Sequence, residues 1–79
     1  MSFLSDLTQV SVGQKVQVSE LPEDVNLKLA LVEAGILCGD ELQITGRTLA
    51  GGPLSFKHGE TSFFALRKKE ASQMQVISL

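Results

Sequence analysis

Short segments in which apolar and polar residues alternate recur along the chain and leave room for a single helix longer than one turn. Alternation with a period of two is the signature of a half-buried β-strand. Val16 and Val18 alternate with polar neighbours in this way, and so do Leu42 and Ile44. The pattern predicts five strands, over residues 15–21, 41–45, 54–57, 61–67 and 76–79.

Residues 24–34 are predicted to form the helix. Glu23 and Asp24 place acidic side chains where the first helical N–H groups lack partners. Gly35 follows the last turn and can take the positive φ that ends many helices. The charged segment 67–71 suits one further helical turn.

The chain has 79 residues, so we expect one folding unit spanning residues 1–79. A short lead-in turn containing Leu4 and Leu7 precedes the first strand, and residues 50–53 are predicted to form a hairpin loop. Five short strands favour a closed or partly closed sheet because closure removes exposed strand edges. The predicted fold class is mainly β with one α-helix, a small SH3-like five-stranded barrel.

The predicted helix has two apolar faces. One stripe, expected to lie on the barrel, contains Leu27, Ala30, Leu31 and Ala34. Val25, Leu29 and Val32 lie on the opposite side. Two interpretations remain open: this second face binds another molecule, or the loops near Leu37 and Leu49 fold over it.

Charge and composition argue against nucleic acid and membrane insertion. The net charge is −2, and the basic run 67–69 has no interleaved Trp or Tyr to stack on bases. The first residues lack a signal-peptide pattern, and no apolar run approaches the length of a membrane span. Cys38 is the only cysteine, and an unpaired thiol favours the cytoplasm.

The sequence offers little for catalysis or metal binding. His58 is the only histidine, and no nucleophile pattern accompanies it, so we expect a solvent-facing or hydrogen-bonded residue. Cys38 and His58 fall short of the four ligands of a structural zinc site. We therefore predict no catalytic residue, no metal site and no cofactor. A small metal-dependent hydrolase is a competing hypothesis that would require metal retained through purification.

Three segments, Leu31–Gly39, Gly51–Pro53 and Leu66–Ala71, resemble the FeoA family of ferrous iron transport accessory proteins in order and spacing. Cys38 departs from the family pattern, where proline is usual, and so does Gly52, where aspartate is usual. The resemblance implies a cytoplasmic SH3-like module without enzymatic activity. It also implies cooperation with FeoB, a membrane transporter of Fe(II) that carries a cytosolic G domain.

On this resemblance, Leu31, Val32 and Leu37 become candidates for the partner-binding surface. The periodicity of the helix adds Leu29, and Arg67 is added as a candidate arginine finger. Stimulation of GTP hydrolysis, gating of transport and assistance in assembly all remain open, as does self-association. The alternative is a regulatory module related to the C-terminal domain of metal-dependent repressors, although 79 residues leave no room for a helix-turn-helix.

Overall fold

The computed structural model describes residues 4–48 and 52–79. Its strands are β1 (Leu4–Asp6), β2 (Lys15–Glu20), β3 (Glu41–Arg47), β4 (Leu54–His58), β5 (Ser62–Leu66) and β6 (Gln75–Ser78). Its helices are α1 (Val25–Glu33) and α2 (Lys68–Ala71), and a 3₁₀ turn spans Leu7–Gln9. Leu49 lies outside the described residues, and the predicted hairpin loop at 50–53 lies partly outside them.

The strands form one antiparallel sheet with the order β1-β6-β2-β3-β4-β5. The prediction of a mainly β domain is confirmed, but the five-stranded barrel is wrong in detail. The described residues form six strands, and the sheet is open between β1 and β5. β1 has three residues, too few to show any alternation, and it is a strand because it pairs with β6. Register shifts in β2 and β3 are irregularities of the kind that bends and twists a sheet.

The core lies on the side of this sheet to which the alternating apolar residues point. Phe56 is fully buried at its centre and stacks on Phe64, with ring centroids 5.7 Å apart. The hydrophobic core cluster consists of Leu7, Val10, Val16, Val18, Leu31, Ile36, Leu42, Ile44, Leu54, Phe56, Leu66, Ala71, Met74 and Val76. They draw on every strand from β2 to β6 and on both helices, so a single core holds the described chain together.

The predicted helix is confirmed, with Asp24 as its N-cap and Gly35 at φ +91° beyond its end. The stripe predicted to face the barrel is only half right. Leu31 is buried and Leu27 is half-buried, but Ala30 and Ala34 are exposed. The nine-residue helix is anchored in the core by Leu31, with Leu27 packed partly against it, so the small side chains of Ala30 and Ala34 stay in solvent.

Arg47, the last residue of β3, holds the segment before β2 against the sheet by hydrogen bonds. Its guanidinium donates hydrogen bonds to the backbone carbonyl oxygens of Thr8 and Val10. The Leu7 N–H donates to the carbonyl of Met74, the residue before β6, at 3.0 Å. These bonds hold Leu7 and Val10 in the core.

Candidate protein-interaction surface on helix α1

Three apolar side chains form a ridge on the outer side of α1. Val25, Leu29 and Val32 are 67%, 52% and 39% exposed, and their spacing of four and three residues puts them on one helix face. We call these three residues the outer patch. The hypothesis that the loop near Leu37 folds over this face is wrong, because all three side chains of the outer patch are exposed. The loop near Leu49, the other half of that hypothesis, lies outside the described residues.

Hydrogen bonds at its two ends fix the helix that carries the outer patch. Oδ1 of Asp24 accepts the N–H of Leu27 at 3.1 Å. At the other end, the Ile36 N–H donates to the Leu31 carbonyl and the Gly35 N–H to the Val32 carbonyl, both at 2.9 Å. This is the Schellman arrangement, and its characteristic apolar contact is supplied by two buried residues, Leu31 and Ile36. The helix that carries the outer patch is therefore formed without any binding partner.

The loop after α1 is folded back onto β2. The Gly39 N–H donates to the Val18 carbonyl at 2.8 Å, and the Val18 N–H donates to the Asp40 carbonyl at the same distance. Gly39 has φ +94°, a conformation that other residues rarely adopt. Within the loop, the Asp40 N–H donates to the Leu37 carbonyl at 3.1 Å. Leu37 is thus exposed on a hydrogen-bonded turn.

The Asp40 carboxylate connects this loop to β4. Its Oδ2 accepts the Leu37 N–H at 3.0 Å and lies 2.9 Å from Nε2 of His58 on β4. The backbone hydrogen bond from Leu37 lowers the pKa of Asp40, and His58 adds to this by hydrogen bonding and charge. Sequence reasoning left His58 as either solvent-facing or hydrogen-bonded, and the structure shows the second; it did not single out Asp40.

The predicted partner-binding residues occupy different environments. Leu29, Val32 and Leu37 are exposed. Leu31 is 4% exposed, so its assignment to an accessible surface is corrected: it anchors α1 in the core because it lies on the side of the helix opposite the outer patch. Arg67 is exposed on another element, the N-cap of α2, where its backbone N–H donates to Oε1 of Glu70 at 2.9 Å.

The described residues contain no group of three or more His, Cys, Asp and Glu side chains placed to hold a metal ion. Cys38 is a free, exposed thiol next to Leu37. No helix in residues 4–48 and 52–79 combines the length and the apolar character needed to cross a bilayer. The chemistry that the outer patch offers is the burial of apolar surface against another molecule.

A bent antiparallel sheet with one capped helix on it defines a small SH3-like β-domain. The FeoA domain model matches residues 6–78, and the chain belongs to the FeoA domain family. This confirms the family resemblance stated on segments 31–39, 51–53 and 66–71. Membership associates the chain with ferrous iron transport.

Two solved structures of FeoA proteins are similar to nearly the whole chain. A FeoA-like protein from Clostridium acetobutylicum is 26% identical with a TM-score of 0.78, and the match covers 96% of this chain and 87% of that one. An iron uptake regulatory protein (FeoA) is 25% identical with a TM-score of 0.81, and the coverage is 98% and 99%.

A manganese-dependent transcriptional repressor in complex with manganese has the same fold, with a TM-score of 0.86 at 19% identity. The match covers 96% of this chain but 37% of the repressor, so the likeness concerns one part of that protein. Comparison with curated protein sequences gives no significant match.

Proposed function

We propose that this domain is a cytoplasmic accessory protein of ferrous iron uptake. It acts by binding the cytosolic part of a FeoB-type membrane GTPase transporter through the outer patch and Leu37. Membership of the FeoA family supports the link to iron transport. The observation that carries the interaction is the exposure of Leu29, 52%, in the middle of a capped helix.

Burial of the outer patch in an interface would contribute favourable binding free energy. Val25, Leu29 and Val32 are each at least 39% exposed, and burying such side chains contributes on the order of 1 kcal/mol apiece. Since α1 is capped at both ends before binding, little ordering entropy is lost on docking. Docking of a helix through an exposed apolar face into a groove of the partner is a common mode of protein recognition.

The proposed role needs no chemistry from the domain itself. A bound module changes a transporter by stabilising one of its conformations, and the shift is limited by the difference in affinity for the two states. Arg67 is tested separately from the outer patch. An exposed guanidinium next to a G domain would affect GTP hydrolysis rather than binding. The likeness to the manganese-dependent repressor concerns the fold and supports no second function.

The test is binding of the full chain to the purified cytosolic part of the FeoB-type transporter from the same organism. We expect Leu29→Glu to weaken binding about tenfold or more, because a carboxylate then loses its water in the interface. The matched control is Val12→Glu, which alters an apolar residue of similar exposure, 56%, in the turn before β2.

Equal effects of the two variants on binding would contradict the proposal, and so would a wild-type domain that does not bind. Circular dichroism should show an unchanged fold for both variants. Arg67→Ala should leave binding intact; a fall in transporter GTPase activity with this variant alone would assign the arginine-finger role.

A further inference from the structure

Strand β5 lies at one end of the sheet and is paired on one side only. Its partner is β4, in a register that runs without a shift from Leu54 opposite Leu66 to His58 opposite Ser62. Among residues 4–48 and 52–79, no strand lies along its other side. A strand in this position presents a row of backbone N–H and C=O groups to whatever can pair with them.

The sequence of β5 lacks the features that usually block edge pairing. Ser62–Leu66 contains no proline and no charged residue, and it has two aromatic side chains. Phe63 is 65% exposed and shares the outer face of the sheet with Ala65, which is also exposed. At the other end of the sheet, β1 has only three residues. The long apolar edge is therefore β5.

The charges flanking β5 are of opposite sign. Glu60 precedes the strand, and Arg67, Lys68 and Lys69 follow it; all four are exposed. When two copies of such a strand run antiparallel, the acidic end of each meets the basic end of the other. A parallel arrangement would bring like charges together at both ends, which is unfavourable.

We propose that β5 pairs antiparallel with β5 of a second copy of this chain, so that one sheet continues across a symmetric dimer. In a register centred on Phe64, Phe63 of each copy lies opposite Ala65 of the other. The turn that carries Glu60 then lies beside the start of α2 in the other copy, which carries Lys68. The two-fold axis makes every contact occur twice. This surface is on a different element from the outer patch, so the proposal does not depend on the proposed function.

The first test is sedimentation of the full chain over a range of concentrations. We expect a monomer–dimer equilibrium that Phe63→Ser weakens at least about tenfold, since the exposed ring becomes buried at the interface. Leu29→Glu, on the outer patch, should leave dimerisation unchanged. A chain that stays monomeric up to about 1 mM would overturn the proposal. The edge of β5 would then be available to pair with an extended segment of another protein instead. Loss of the dimer in Leu29→Glu would overturn it as well.

Charge exchange provides the second test. Glu60→Lys alone and Lys68→Glu alone should each weaken the dimer, because each places like charges opposite one another. An equimolar mixture of the two variants should associate more strongly than either one, since a mixed dimer restores both attractive pairs. Both side chains are exposed, so melting temperatures should stay close to the wild-type value. A mixture that associates no better than the single variants would contradict the proposed pairing.

Discussion

Nε2 of His58 lies 2.9 Å from Oδ2 of Asp40, and the same oxygen accepts the N–H of Leu37 at 3.0 Å. One carboxylate oxygen therefore joins β4 to the loop that carries an exposed leucine of the candidate surface. The two side chains are 18 residues apart in sequence. Their contact fixes where Leu37 is presented relative to the sheet.

The charge of Asp40 should make folding stability depend on pH in the acid range. Because its pKa is below the ordinary 3.8 in the folded protein, its contribution is fully present above that value. The contribution is lost as the pH falls through the lowered folded pKa. Urea unfolding at several acidic pH values should show a shallower loss of stability for Asp40→Asn than for the wild type. Parallel pH profiles would contradict this.

Leu29 and Leu31, two residues apart on α1, should respond oppositely to truncation. Leu31→Ala removes a buried side chain and should lower the free energy of unfolding by about 2–4 kcal/mol. Leu29→Ala should change it by no more than about 0.5 kcal/mol, because Leu29 is exposed. Chemical denaturation of the two variants measures the difference. A larger cost at Leu29 would mean that the helix faces are reversed.

Arg47 should be needed to hold the segment before β2. Arg47→Met removes the hydrogen bonds to the carbonyls of Thr8 and Val10 and should cost about 1–2 kcal/mol of unfolding free energy. Amide hydrogen exchange should accelerate around Leu7. Arg67→Met is the matched control, since the α2 cap uses the backbone of Arg67. Equal costs for the two variants would show that the Arg47 bonds contribute nothing.

The end of α1 should tolerate few residues at position 35. Gly35 has φ +91° with open space around the position of a Cβ, so the cost of substitution is conformational rather than steric. Gly35→Val should lower stability by about 1–2 kcal/mol or more, and Gly35→Asn by less, because asparagine tolerates positive φ better. Thermal unfolding of the two variants gives the order, and the reverse order would contradict it.

The alternation of apolar and polar residues was enough to predict most of the strands and the sides that they bury. Val16, Val18, Leu42 and Ile44 are all buried as alternation indicates, because a period of two decides directly which face a side chain takes. β1 could not be found this way, since a three-residue strand has no period and depends on β6 for its pairing. The same holds for the Arg47 bonds, which link residues nearly 40 positions apart in sequence.

The candidate surface was predictable in part. Helical spacing placed Leu29 and Val32 on the outside and Leu31 on the core side, and the structure agrees with all three placements. The family resemblance marked Leu31 as a surface candidate, and here the geometry of the helix was the better guide. The Asp40–His58 contact was beyond sequence reasoning because it requires the register of β4 against β3.

The anchoring of α1 through Leu31 has a consequence for how this domain can be modified. Substitutions at positions 25, 29 and 32 alter the outward surface while the core stays complete. The residues proposed for binding and the residue that anchors the helix in the core are therefore different residues of the same nine-residue helix. Under the proposed function, the three positions of the outer patch are therefore where related domains could differ in partner without a change of core.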